Sequence, residues 1–162
     1  MPNTKSSLNT IQDFLAQKRI AFVGVSRDPR DFSSSLFSEF VKRGYDVVPV
    51  NPNASEVMGK RAFQRVQDIQ PRVDAALLMT TSAVSEAVVA GCVEAGIRHV
   101  WLYRATGDGA VSEKALELCH QHGIKVVPGE CPFMFFPHNG FHGIHGFIRK
   151  ITGSYPRRED AA

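Results

Sequence analysis

Two kinds of apolar segment alternate along this chain. The first kind is a short continuous run: Ile20-Ala21-Phe22-Val23, Val47-Val48-Pro49-Val50, Val73 to Met79, His99 to Tyr103 and Lys125 to Val127. Runs of this length, bounded by glycine or turn residues, read as strands buried on both faces of a parallel sheet. Pro49 has no N–H to give to a ladder, so the second strand is expected at a weak pairing or an edge. In the second kind, apolar residues return every three or four positions, as on one face of a helix. Ile11, Phe14 and Leu15 predict a helix from Thr10 to Lys18, opened by a capping arrangement in Thr10-Ile11-Gln12-Asp13. Leu36, Phe37, Phe40 and Val41 predict a second, capped by Ser33 or Ser34 and stopped at Gly44. A third runs from Thr81 or Ser82 to Gly96, and a fourth from Ser112 to His122 before Gly123. Strand-then-helix alternation with short connections predicts a Rossmann-like α/β fold, a doubly wound parallel sheet of about five strands with helices on both faces. No repeat or linker divides the chain, so one domain is expected over 1–162, with 1–8 and 155–162 as flexible tails.

Composition adds exclusions. An apolar fraction of 43% with 22% charged residues supports a globular core. Net charge is only +3, without a long block of like charge, so no basic face for nucleic acid is indicated. No apolar stretch approaches the ~18–20 residues that span a bilayer, so no membrane partner is expected. Met1 to Ser7 lacks the apolar region of a signal peptide. Cys92, Cys119 and Cys131 are odd in number and lack metal-type spacing, which suits reduced thiols and a cytoplasmic chain.

In open α/β sheets, ligands bind outside the carboxyl ends of the strands, where strand order reverses. The loops of interest are therefore Gly24 to Ser35, Asn51 to Arg61, Thr80 to Ser82, Arg104 to Gly109 and Gly129 to Pro132. The first of them, Gly24-Val25-Ser26-Arg27-Asp28-Pro29-Arg30, carries the phosphate chemistry. Gly24 lets an anion approach the backbone, and the following helix offers free N–H groups and its positive dipole end. Ser26, Ser33, Ser34 and Ser35 add hydroxyls; Arg27 and Arg30 add charge. On this reading Gly24→Val abolishes ligand binding while keeping the fold. A dinucleotide fingerprint would need glycines at Ser26 and Pro29, and an acidic ribose ligand where Asn51-Pro52-Asn53 stands. An adenosine ligand with extra phosphate suits Lys60 and Arg61 better, although a Lys-Arg pair is as readily a solvated surface feature.

These residues resemble the coenzyme A-binding domain family, the stand-alone relatives of the N-terminal domain of the succinyl-CoA synthetase α subunit. The resemblance covers roughly Ile20 to Cys131. It rests on Ile20-Ala21-Phe22-Val23-Gly24-Val25-Ser26, Tyr45-Asp46-Val47-Val48-Pro49-Val50-Asn51-Pro52-Asn53, Val100-Trp101-Leu102-Tyr103 and Glu130-Cys131. It implies a coenzyme A or acyl-CoA ligand, with the first loop on the diphosphate and Asn51-Pro52 lining the adenosine side. It implies Met79-Thr80-Thr81 flanking the pantetheine, with Glu130 and Cys131 at the far end of the cleft, and counts Tyr103 among the ligand contacts. Two departures stand out: Glu130 precedes the cysteine, and an aromatic extension, Pro132-Phe133-Met134-Phe135-Phe136-Pro137, follows it. That extension either packs as core or closes over the site.

No catalytic group is assigned. The chain has neither the room nor the motifs for the phosphohistidine and nucleotide-grasp parts of the larger ligases, so ligase activity of its own is not expected. Cys131 could be exposed by its loop, but Glu130 beside it raises the thiol pKa and argues against a nucleophile. Cys92 and Cys119 read as core. His138, His142 and His145 could share a helix face, yet Gly140, Gly143 and Gly146 weaken that helix and no further ligand lies near. No metal is assigned there; the segment is expected to pack on the sheet or on a second copy as a homodimer contact. Two other function classes stay open: an NAD(P)-dependent oxidoreductase domain, and a structural dimer with a vestigial nucleotide pocket.

Overall fold

The computed structural model of the chain describes residues 6–104 and 107–136. Five strands, β1 (Arg19–Val23), β2 (Asp46–Val50), β5 (Ala75–Leu78), β6 (His99–Leu102) and β7 (Lys125–Pro128), form one parallel sheet in the order β2-β1-β5-β6-β7. The chain leaves β1 to build β2 on one side, then returns to build β5 on the other. Strand order therefore reverses between β1 and β5. Pro49 sits in the edge strand β2, opposite Phe22, where its missing N–H costs the ladder nothing on the open side. That side is partly covered by a hairpin, β3 (Glu56–Val57) and β4 (Lys60–Arg61), which periodicity gave no sign of. Its turn places Met58 and Gly59 at positive φ, as tight hairpin turns require. Phe63 then exchanges backbone hydrogen bonds with Pro49 and Asn51.

Four helices cover the sheet: α1 (Leu8–Leu15), α2 (Phe32–Lys42), α3 (Ser82–Ala95) and α4 (Glu113–Gln121). Period-two alternation sends each strand's side chains to opposite layers. Ala21, Val23, Ala76, Leu78, Val100 and Leu102 meet α3 and α4 through Val89, Cys92, Leu116 and Cys119. Ile20, Phe22, Leu77 and Trp101 face the other way, onto α1 and α2 through Ile11, Phe14, Phe37 and Phe40. Trp101 is fully buried, stacks edge-on to Phe14 at 5.2 Å and gives its indole N–H to the Glu130 carbonyl at 2.8 Å. The aromatic extension belongs to this second layer. Phe136 packs on Phe40, with the Arg43 guanidinium 4.3 Å from its ring centre, and Phe135 reaches Trp101.

Helix starts differ from expectation for a common reason: a better cap lies upstream. Ser7, not Thr10, caps α1 by accepting the Thr10 N–H, and Ser6 Oγ donates to the Pro128 carbonyl. Ser6, Ser7 and Leu8 are thus built into the fold rather than part of a tail. Asp31, not Ser33 or Ser34, caps α2. Ser112 caps α4 as expected, through the Ala115 N–H. At the far end of α3, Gly96 takes the left-handed conformation and returns its N–H to the last turn.

The expectation for Gly24→Val needs correction. Gly24 has φ +91°, and a Cβ there would stand 2.4 Å from the Met79 carbonyl oxygen. Protein backbone, not a ligand, fills the space that glycine leaves open. Substitution should therefore damage the fold itself. We expect Gly24→Ala to cost about 2–4 kcal/mol of stability, from left-handed strain and displacement of the β5 terminus, measured by equilibrium denaturation. A cost below about 0.5 kcal/mol would contradict this close approach.

Candidate functional site

A cleft of about 500 Å³ opens at the carboxyl ends of β1 and β5, where the strand order reverses, lined by Gly24, Ser26, Asp31, Phe32, Ser33, Met79, Thr80, Tyr103 and Gly109. Three of the loops singled out from the sequence meet here directly: the one after β1, the one after β5 and the one after β6. The structure thus brings together Gly24, Ser26, Ser33, Met79, Thr80 and Tyr103 from the expected set.

The β1–α2 loop is held by its own polar groups. The Ser26 N–H donates to Ser33 Oγ at 2.9 Å, and Ser26 Oγ accepts the Asp28 N–H at 3.0 Å. The Ser33 N–H donates to Asp31 Oδ1 at 2.8 Å, and the Ser33 hydroxyl donates to the same carboxylate. Ser34 is buried and donates to the carbonyls of Ser26 and Asp28. These bonds fix the turn that aims the N-terminus of α2 at the cleft. On the opposite side, Thr80 Oγ1 and Ser85 Oγ share a hydrogen bond of 2.7 Å beneath the start of α3, whose N-cap is Thr81.

One wall is aromatic. Phe32 stacks on Tyr103 with ring centres 5.5 Å apart and planes 20° apart, and Phe133 meets Phe32 edge-on at 5.6 Å. Burial, with the nearby Cys131 as a second cause, pushes the Tyr103 hydroxyl up to about 12, so it stays protonated and can donate. Cys131 stands next to this wall, mostly buried. Burial pushes its thiol up to about 11; the Glu130 charge adds to that, while the N–H groups of Phe133 and Met134 oppose it. The sequence expectation of a raised thiol pKa had the right sign, but burial rather than Glu130 is the leading cause. Cys92 and Cys119 are fully buried core residues, as expected.

The other expected residues lie outside the lining. Val25 is core, 2% exposed. Arg27 is exposed. Arg30 projects into solvent with its side chain 89% exposed, and its guanidinium holds Asp28 at 3.0 Å, which keeps that carboxyl below its usual range. Such an exposed pair contributes little. Asn51, Pro52 and Asn53 form a turn at the end of β2, closed by the Asn53 N–H on Asn51 Oδ1. Lys60 Nζ donates to the Val47 carbonyl at 3.2 Å, and Arg61 lies over the Phe63 ring. Glu130 is buried, its carbonyl taken by Trp101. His138, His142 and His145, with the homodimer contact assigned to their segment, lie outside the described residues.

Asp31, Phe32 and Gly109 line the cleft without having been singled out individually. Asp31 was legible as a strong cap standing before the serines, but the serines are equally good caps and mask it. Phe32 carried no signal, since nothing in periodicity separates a cleft aromatic from a core one.

Comparison with known proteins agrees with the fold. The family described as "CoA binding domain" matches residues 18–137. The α subunit of an ADP-forming acetate–CoA ligase II from Pyrococcus furiosus is 30% identical over 125 residues, covering 73% of this chain and 27% of that one. An uncharacterized protein, YneT, from Bacillus subtilis is 27% identical over 70% of this chain and 82% of its own length. Among solved structures, a hypothetical protein from Pyrococcus horikoshii superposes with a TM-score of 0.72 at 25% identity, over 82% of this chain and 91% of that one. A dinucleotide-forming acetyl-coenzyme A synthetase from Ca. Korarchaeum cryptofilum gives 0.60 at 28%, over 67% of this chain and 25% of that one. The chain spans about a quarter of the length of the ligase relatives and most of the small ones. With a match across most of its length, the chain belongs to the CoA-binding domain family.

Proposed function

We propose that this chain binds coenzyme A or an acyl-CoA in the cleft between β1 and β5, without ligase activity of its own. The observation that carries the reading is the cleft's mixed lining at the strand-order reversal. Ser26, Ser33, Thr80 and the N-terminus of α2 bring hydrogen-bonding groups to it, and Met79, Phe32 and Tyr103 bring apolar surface. A diphosphate suits the first and a pantetheine arm with its acyl group suits the second. The adenosine is assigned to Asn51 and Pro52, at the end of the neighbouring strand and beyond the cleft lining. Arg27 and Arg30 supply outer positive charge that adds to the on-rate more than to the affinity. Cys131, next to Tyr103, marks the thioester end. A thiol with so high a pKa shapes that end rather than attacking there. A role in a cytoplasmic setting, holding or presenting the coenzyme to a partner, fits this reading.

Two measurements test it. Calorimetry at one salt concentration should give coenzyme A at least about tenfold tighter than NAD, a difference of about 1.4 kcal/mol. Equal or tighter NAD binding would sink the assignment and favour the oxidoreductase reading. Alkylation of the native protein should be slow at neutral pH and rise toward a thiol pKa near 11, since Cys92 and Cys119 are fully buried and leave Cys131 as the reactive thiol among the three. Saturating coenzyme A should slow it further. A reactive thiol with an apparent pKa below about 8 would instead make Cys131 a nucleophile.

A further inference from the structure

The loop between β1 and α2 has the makings of a phosphate cradle, yet its donors are already engaged by an anion of the protein's own. Asp31 stands at the N-cap of α2, where the first N–H groups of the helix and its positive dipole end converge. Its carboxylate takes both the N–H and the hydroxyl of Ser33, and Ser33 Oγ in turn takes the Ser26 N–H at 2.9 Å. This relay ends on one carboxylate at the site a diphosphate would use. Among the described residues lining the cleft, Asp31 is also the one with a charged side chain. Two nearby cations are engaged elsewhere: Arg30 is exposed and held by Asp28, and Lys60 is turned to the Val47 carbonyl.

We infer that Asp31 is a specificity residue of this cleft, an internal stand-in for the ligand's phosphate that an entering anion must displace. The inference rests on the reading of the cleft as a diphosphate site. Exchanging one anion for another in the same cradle yields little net attraction, and a carboxylate left beside the phosphate repels it. Ligands whose only anchor is phosphate are therefore rejected. A ligand that also places an apolar arm against Phe32, Tyr103 and Met79 gains enough elsewhere to displace Asp31. Selectivity through a built-in repulsive element is how binding sites discriminate among ligands sharing one group.

Asp31→Asn removes the charge and keeps an equally good cap, and Asp31→Ser is a second cap-preserving variant. The full chain and both variants are titrated calorimetrically with coenzyme A, inorganic diphosphate and pantetheine, which carries no phosphate. We expect coenzyme A and diphosphate to bind roughly tenfold tighter to both variants, with pantetheine unchanged within about twofold. If coenzyme A binds wild type and variants alike, the role of Asp31 is overturned and the coenzyme A reading stands. If diphosphate gains in the variants but coenzyme A binds none of the three proteins, Asp31 keeps its role and the coenzyme A reading falls. Pantetheine gaining as much as coenzyme A would show a loosened cleft, and binding of neither anion by any protein would overturn both ideas.

Discussion

The close approach of Gly24 to the Met79 carbonyl is the constraint on which the rest of this structure depends. It occurs where two neighbouring parallel strands end together and their chains must part, one toward α2 and the other toward α3. A residue with a side chain at Gly24 would collide with the Met79 backbone, just past β5, 2.4 Å away and would hold a strained left-handed φ. With glycine there, the ends of β1 and β5 stay in register and the two following loops splay apart. The cleft is the space between those diverging loops. Its position follows from strand order.

A loop so placed must satisfy its own polar groups before any ligand arrives. The serines do this, and Asp31 completes the set as helix cap. On the proposed reading, the same bonds that make α2 start cleanly also occupy the anion site, so stability of the domain and affinity for a phosphate draw on one group of donors, with Asp31 setting the balance between them. The aromatic wall works in the opposite sense. Phe32 and Tyr103 stack on each other at the mouth, with Phe32 left 36% exposed, so apolar surface is held open to solvent at the cleft. Covering that surface favours a ligand with an apolar arm.

The sheet was legible in the sequence because continuous apolar runs bounded by glycine have one physical explanation in an α/β chain. Pro49 correctly pointed to an edge. The β3–β4 hairpin escaped because two-residue strands leave no period to read, and its turn is carried by Met58, a residue that rarely adopts positive φ. The site was legible as a set of loops and less so as side chains. Gly24, Ser26, Ser33, Met79, Thr80 and Tyr103 converge because each stands within a few residues of a strand end or helix start. Arg30 and Lys60 were assigned by charge alone, and charge does not say which way a long side chain turns: one pairs with Asp28 and the other with a backbone carbonyl. Gly24 lines the cleft, but the neighbour that requires glycine there is the Met79 backbone, distant in sequence, and not a ligand.

A crystal structure of the full chain grown with coenzyme A addresses the central claim most directly, that the β1–β5 cleft is the ligand site. The account predicts diphosphate density against Ser26 and Ser33 with the Asp31 side chain displaced from the Ser33 N–H, and the pantetheine arm running along Met79 and Tyr103. Ligand density elsewhere, for example in the groove between α3 and α4 lined by Glu86 and Lys114, with Asp31 still capping α2 and the cleft empty, would contradict it.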